Sequence, residues 1–489
     1  MRNALLPVGR LGSENPLMDY LSSFFKGQGS LPVLFAKESP AKSLSNEGSY
    51  HLIINEKGIR ISGNRPNAFA SLLRLIVTKD DQTYLPVVEQ EDEPLYPWRG
   101  VLLDEARHYF GKAEVKRLLD QMFLLRYNVL HWHLSDDQGF RLSLKNYPDL
   151  LGATSREDTY EGWALGKPKK VMGPYRFAYT EEDIAEILSY AKNRGIEIVP
   201  EIDVPGHLSA ILSAHPEFSC GKTPFPVSDH FGVHSATLCL GNPAARAYLV
   251  GLIDEVARLF KAKHFHLGFD EIKTEAMKRC PACQQRIRSS GLKNEQDLIQ
   301  SFQKELAAHL RSRSIVPLFW NDGLKEKEED GIVEVWTLLK PGEKARALRQ
   351  INHGQKTIIS PFFSTYASNA YAMMPLRKSF AFDPCLKGIK RKENVLGGEV
   401  SYWSEYGTSA DKFHFEFDVR SAILAATFWG EKKGSYKQFM GDLQAKSRFY
   451  FGRDVRIDEA LMNPRGLKRC LQLRHYFHDV DSEYRKYQL

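Results

Sequence analysis

The run His264-Phe265-His266-Leu267-Gly268-Phe269-Asp270-Glu271 carries the strongest chemical signal in the chain. Apolar and aromatic residues lead into two adjacent carboxylates, with a glycine just before them. A buried strand reads this way when it delivers acid/base groups to the mouth of a barrel. A solvated Asp-Glu pair normally sits among polar neighbours. Neighbouring side chains at a strand end point in different directions. Asp270 and Glu271 can therefore serve two atoms of one substrate instead of sharing one proton.

Such a pair needs a scaffold that holds strand ends together. From Trp98 onward, apolar strands alternate with helical stretches. Candidate strands are 100–104, 129–134, 196–202, 265–268, 316–320, 333–336, 357–360 and 395–400. Thr180 and Asp183 form a capping box ahead of Ile184, Ile187, Leu188 and Ala191, and Gly195 closes that helix. Asn242-Pro243 is a cap followed by proline at the first helical position. Val115, Leu118, Leu119 and Met122 make an apolar face at helical spacing. The alternation predicts an α/β fold, a (β/α)8 TIM-type barrel over residues 93–430. Residues 1–92 read as a small α+β domain, with strands at 50–54 and 59–61 and a helix at 67–76. The acidic stretch Glu89–Pro94 reads as a linker. Residues 431–489 read as a helical segment packed on the barrel.

In such a barrel the C-terminal strand ends build the site. Here they comprise Arg99, Asp136-Asp137, Asp203 with His207, Asp270-Glu271, Trp320-Asn321-Asp322, Trp336, and Trp403 with Glu405. Carboxylates with tryptophans suit a sugar pocket. Flat indoles stack on the apolar faces of a pyranose while charged groups bind its hydroxyls. Trp98 and Trp132 read as core packing.

Composition narrows the class. Apolar residues make up 43% of 489, enough for a sizeable core, and the net charge of +7 is spread along the chain. No basic stripe is interleaved with aromatics, which argues against nucleic acid. No segment is apolar for long enough to span a bilayer. The first residues, Met1 to Pro7, lack the long apolar stretch of an export leader. A cytoplasmic location is expected, with a trimmed signal peptide left open. Cys280 and Cys283 have metal-ligand spacing, but a zinc site needs a second pair. Cys220 and Cys239 lie far apart in sequence and no histidine is suitably spaced. Free thiols or one local disulfide are expected, with no metal and no cofactor.

His266-Leu267-Gly268-Phe269-Asp270-Glu271 resembles the H-x-G-x-D-E signature of family 20 glycoside hydrolases, the β-N-acetylhexosaminidases. Trp98-Arg99-Gly100, the run His131–Arg141, Glu201-Ile202-Asp203-Val204-Pro205-Gly206-His207, Trp336 and Trp403-Ser404-Glu405 resemble family motifs in family order. The likeness spans about residues 45 to 430. It implies an exo-acting, retaining enzyme that removes terminal β-linked GlcNAc or GalNAc from a glycan or glycoconjugate. The 2-acetamido oxygen attacks the anomeric carbon and forms an oxazolinium ion, an exception to the two-carboxylate scheme. By this resemblance Glu271, with a raised pKa, is the general acid and then the base. Asp270 stays ionised and orients the acetamido N–H. Arg99 and Glu405 grip the ring hydroxyls. Trp320, Trp336 and Trp403 wall the acetamido group and ring, and Asp136 and His207 support the acid.

One motif departs from the family. Where it usually carries Tyr-Leu-Asp, this chain has Tyr366-Ala367-Ser368. Tyr366 matches the residue that reaches the acetamido oxygen, but the carboxylate near C4 and C6 is missing. Either Asn369 or a water replaces its hydrogen bond, or the pocket tolerates GalNAc or an anionic O6 substituent, aided by Arg377 and Lys378. Two other readings stay open: an ordinary retaining glycosidase with two distant carboxylates, and a non-catalytic sugar-binding protein on a decayed barrel.

Overall fold

Eight parallel strands close into a barrel in the computed structural model. They are β1 (Trp98–Asp104), β2 (Val129–His133), β3 (Glu197–Val204), β4 (His264–Gly268), β5 (Val316–Trp320), β6 (Ile332–Val335), β7 (Lys356–Ile359) and β8 (Val395–Tyr402), which pairs back to β1. The structure describes residues 5–12, 16–35, 47–153, 160–161, 169–170, 177–222, 227, 236–323, 331–339, 341–405 and 409–478. All eight candidate strands fall on barrel strands. Every residue of β1 and β2 is buried. Helices cover the outer face and side chains fill the interior, so these strands read as continuous apolar runs without alternation.

The helix signals act as expected. The Thr180 side chain caps Asp183 N, and Asp183 answers to Thr180 N, at the start of helix Glu181–Asn193. Asn242 caps Ala244 and Ala245 ahead of helix Pro243–Phe260. Helix Lys112–Leu124 buries Val115, Leu118, Leu119 and Met122. Trp98 and Trp132 lie in the core.

Before the barrel stands a five-stranded sheet, ordered Arg10–Gly12, Ser30–Phe35, Gly58–Gly63, Tyr50–Asn55, Val88–Asp92, with helix Arg65–Arg74. Most of the expected linker is therefore a strand. Residues 88–92 pair antiparallel with Tyr50–Asn55 at the sheet edge. Their acidity suits an edge, where charge blocks pairing with a second chain. After β8 the helix Ala410–Trp429 is buried on nearly every side. The short helix Ser447–Phe451 then packs on both Lys112–Leu124 and Arg65–Arg74. No helix among the described residues is long and apolar enough to cross a membrane.

Candidate active site

The C-terminal ends of the strands enclose a cavity of about 320 Å³. That is within the range of small-molecule pockets. Its lining includes Asp136, His207, Asp270, Glu271, Trp320, Trp336, Tyr366, Trp403 and Glu405, which are the expected site residues with one exception.

The carboxylate pair follows β4 on a contorted backbone. Gly268, Phe269 and Glu271 have φ of +69°, +68° and +49°. Left-handed conformations cost a non-glycine residue free energy and cluster at functional sites. At Gly268 glycine is required outright, because a Cβ would lie 1.8 Å from Asp203 Oδ1. This close approach sets Asp203 beside Asp270. Asp322 anchors the turn from the other side, accepting from Glu271 N at 3.0 Å and from Trp336 Nε1 at 2.8 Å.

Environment separates the two carboxyl groups. The Asp270 side chain is 14% exposed and that of Glu271 is 36%. Burial pushes Asp270 up to about 7; the His207 cation opposes this, and Asp322 and Glu271 add to it. Burial, reinforced by Asp270, pushes Asp203 well above the usual carboxylate range. Burial thus raises both carboxyls of this neighbouring pair. Burial therefore weighs against the charged form expected of Asp270, and the His207 cation favours it. A side-chain hydrogen bond with Asp203 also opposes the rise.

His207, at φ +48°, bridges two groups of acids. Its Nδ1 lies 3.1 Å from Asp136 and 3.3 Å from Asp137. Its Nε2 lies 3.5 Å from Glu271 and 3.9 Å from Asp270. Burial opposes the imidazolium, but Asp136 and its neighbours outweigh it and hold His207 well above the ordinary histidine value. His133 also bonds Asp136, at 2.9 Å, and the buried Glu201.

The aromatic walls are fixed from behind. Trp320 Nε1 donates to Glu201 at 2.8 Å, and its ring centroid lies 5.9 Å from that of Trp403. The Tyr366 ring lies 6.1 Å from Trp403 on the same side. Below them, Glu201 faces His131 and His266 at 3.2 and 3.0 Å inside the barrel.

Arg99 is the exception. It stands at the start of β1, at the opposite end of the barrel, where Nε donates to Arg126 O at 2.8 Å and Nη1 to Tyr96 O at 2.9 Å. A seven-residue strand carries its two ends far apart, and only the C-terminal end faces the cavity. The cavity's arginine is Arg107, three residues beyond the strand. It pairs with Asp136 at 2.6 Å, Asp104 at 3.3 Å and Glu405 at 4.0 Å. Arg107 was the site residue to find; Asp203 was read at its strand end, and the structure adds its place beside Asp270. The signal for Arg107 was present, since the strand pattern ends at Asp104 and the rule points beyond it.

Ser368 and Asn369 both line the cavity. Asn369 Nδ2 is engaged with Phe362 O at 3.0 Å. Arg377 stacks on Tyr436 at 4.1 Å and Lys378 lies 5.4 Å over Phe363, and neither lines the cavity. That connection therefore brings no cation to the pocket, and the reading in which these two residues favour an anionic substituent loses its support.

A family model described as Glycosyl hydrolase family 20, catalytic domain, matches residues 96–432. A β-hexosaminidase of Porphyromonas gingivalis is 29% identical over 416 residues, covering 80% of this chain and 51% of that protein. One from Akkermansia muciniphila is 29% identical over 408 residues, covering 78% and 79%. The solved structure of Flavobacterium johnsoniae chitobiase is similar with a TM-score of 0.73 at 29% identity, over 93% of this chain and 66% of that one. This chain thus spans about half the length of the first of these relatives.

Proposed function

Because the chain belongs to glycosyl hydrolase family 20, we propose that it hydrolyses terminal non-reducing β-linked N-acetylhexosaminides by substrate-assisted catalysis, with retention of configuration. The observation that carries this reading is the adjacent pair Asp270 and Glu271 in the lining of a cavity walled by Trp320, Trp336 and Trp403. A carboxylate in that wall suits the acetamido N–H of a bound sugar. That hydrogen bond favours the charged form of Asp270 and turns the acetamido oxygen toward the anomeric carbon. As the oxazolinium forms, the carboxylate offsets its positive charge. Glu271, the more exposed of the two, protonates the leaving oxygen and later takes a proton from water. The His207 cation balances the charge on Glu271 between those steps.

Arg107 and Glu405 take the place expected for Arg99 and Glu405, gripping ring hydroxyls. Trp320, Trp336, Trp403 and Tyr366 enclose the ring and the acetamido methyl.

Assay of aryl N-acetyl-β-glucosaminides and galactosaminides beside the plain β-glucosides tests the reading. Turnover is expected only with the acetamido group present. Equal rates on plain glucosides would sink the substrate-assisted mechanism.

The arginine assignment has its own test. Arg107→Lys loses the forked geometry that Lys cannot reproduce. The expected result is a rise in KM of about tenfold to hundredfold, the worth of one charge-assisted hydrogen bond. Arg99→Lys should leave KM unchanged. The reverse pattern overturns the assignment.

A further inference from the structure

Cys280 and Cys283 have ligand spacing, and the fold brings Cys220 and Cys239 to them as the second pair. Cys220 follows the short 3-10 turn Pro216–Phe218, in the connection after β3. Cys239 lies shortly before Asn242, the cap of helix Pro243–Phe260. Cys280 and Cys283 open helix Pro281–Ser289, in the connection after β4. All four Sγ atoms lie within 4.8 Å of one another. Individual separations are 3.7 Å for Cys220–Cys283, 3.5 Å for Cys239–Cys280 and 3.8 Å for Cys239–Cys283.

These separations decide between chemistries. A disulfide needs about 2.05 Å. A tetrahedral zinc tetrathiolate with Zn–S of about 2.3 Å has sulfur–sulfur edges of about 3.8 Å. The set is also closed: Cys239, Cys280 and Cys283 are buried and Cys220 is half-buried. Paired thiols alone do not require four sulfurs from two separate connections to converge. The backbones around them touch as well. A Cβ on Gly241 would lie 2.1 Å from the carbonyl carbon of Ala282 and 2.4 Å from Cys283 N, so only glycine fits.

We propose that Cys220, Cys239, Cys280 and Cys283 bind one structural zinc ion that staples the connection after β3 to the connection after β4. Soft thiolates in a closed tetrahedral set select this metal and leave no open position for substrate. The staple lies behind the cavity. Leu238 N donates to Pro205 O at 3.2 Å, two residues from His207. Thr237 Oγ1 donates to Lys273 O at 3.3 Å, two residues from Glu271. The ion would thus brace the two turns that carry the acid and its histidine without entering the reaction.

Elemental analysis of the full chain, expressed with zinc and passed through chelator on a sizing column, should find one zinc per chain. Titration with a mercurial should release it as the four cluster thiols react, in addition to Cys385 and Cys470. Cobalt exchanged into the wild type should show thiolate-to-metal charge transfer and the intense visible bands of a tetrahedral S4 site. Cys239→Ser should lose the metal and shift Tm downward, whereas Cys470→Ser, at an exposed cysteine outside the cluster, should keep both. The cobalt spectrum needs no variant and decides the case even if Cys239→Ser fails to fold. Six reactive thiols with substoichiometric zinc, an intact mass reduced by two disulfides, or iron in place of zinc each overturns the proposal.

Discussion

Glu271→Gln should nearly abolish turnover of natural glycosides while sparing the first step on substrates with very acidic leaving groups. A sugar hydroxyl is a poor leaving group and needs the proton that Glu271 supplies. A nitrophenolate needs almost none. General acid help is worth about 10²–10⁴-fold, and that is the expected loss in kcat on a chitobiose-type substrate. The amide fills the same space as the acid. Its backbone N–H keeps the bond to Asp322, so the turn should hold. Rapid-mixing measurement of the first release across leaving groups of graded acidity gives the decisive slope. It should be steep for the variant and shallow for the wild type. Equal loss on good and poor leaving groups would mean that Glu271 is not the acid.

Asp270→Asn should lower kcat about 10²–10³-fold, the cost of removing one group that meets charge developing in the transition state. KM should change far less, because the charge matters most as the oxazolinium forms. Thiazoline mimics of that ion should bind the wild type much more tightly than the variant.

The same substitution should move stability the other way. Folding raises the carboxyl of Asp270 from 3.8 to about 7. A group raised in this sense favours the folded state fully below its unfolded value, and that contribution is lost as pH rises through the folded one. The variant carries no such charge. Its Tm should exceed that of the wild type at pH 8, and the advantage should disappear below about pH 4, where the unfolded carboxyl is also protonated. The kcat/KM of the wild type should fall on the acid side of pH 7. Parallel stability curves would show that burial does not weigh on Asp270.

Much of this was legible in the sequence, for a physical reason. Barrel strands buried on both faces must be apolar along their length, and capped helices must carry their caps beside them. Such signals are local, so β1 to β8 and the helices beginning at Glu181 and Pro243 could be read directly. Asp270 and Glu271 were legible because two acids after a buried strand have no place in a core. The acidic run at 88–92 misled because an edge strand and a linker share one composition, and only pairing with Tyr50–Asn55 tells them apart.

Tertiary structure alone decided the relations between distant residues. Arg99 and Arg107 sit on either side of the same strand, and which one reaches the cavity depends on which end of the barrel is its mouth. Asp203 meets Asp270 only because two strands pair in a register that lets Gly268 pass against it. Likewise Cys220 and Cys239 join Cys280 and Cys283 only when β3 and β4 lie side by side, bringing their connections together. Local sequence determines what each element is. Register, and the order in which the barrel closes, determine which side chains share a charge, a proton or a metal.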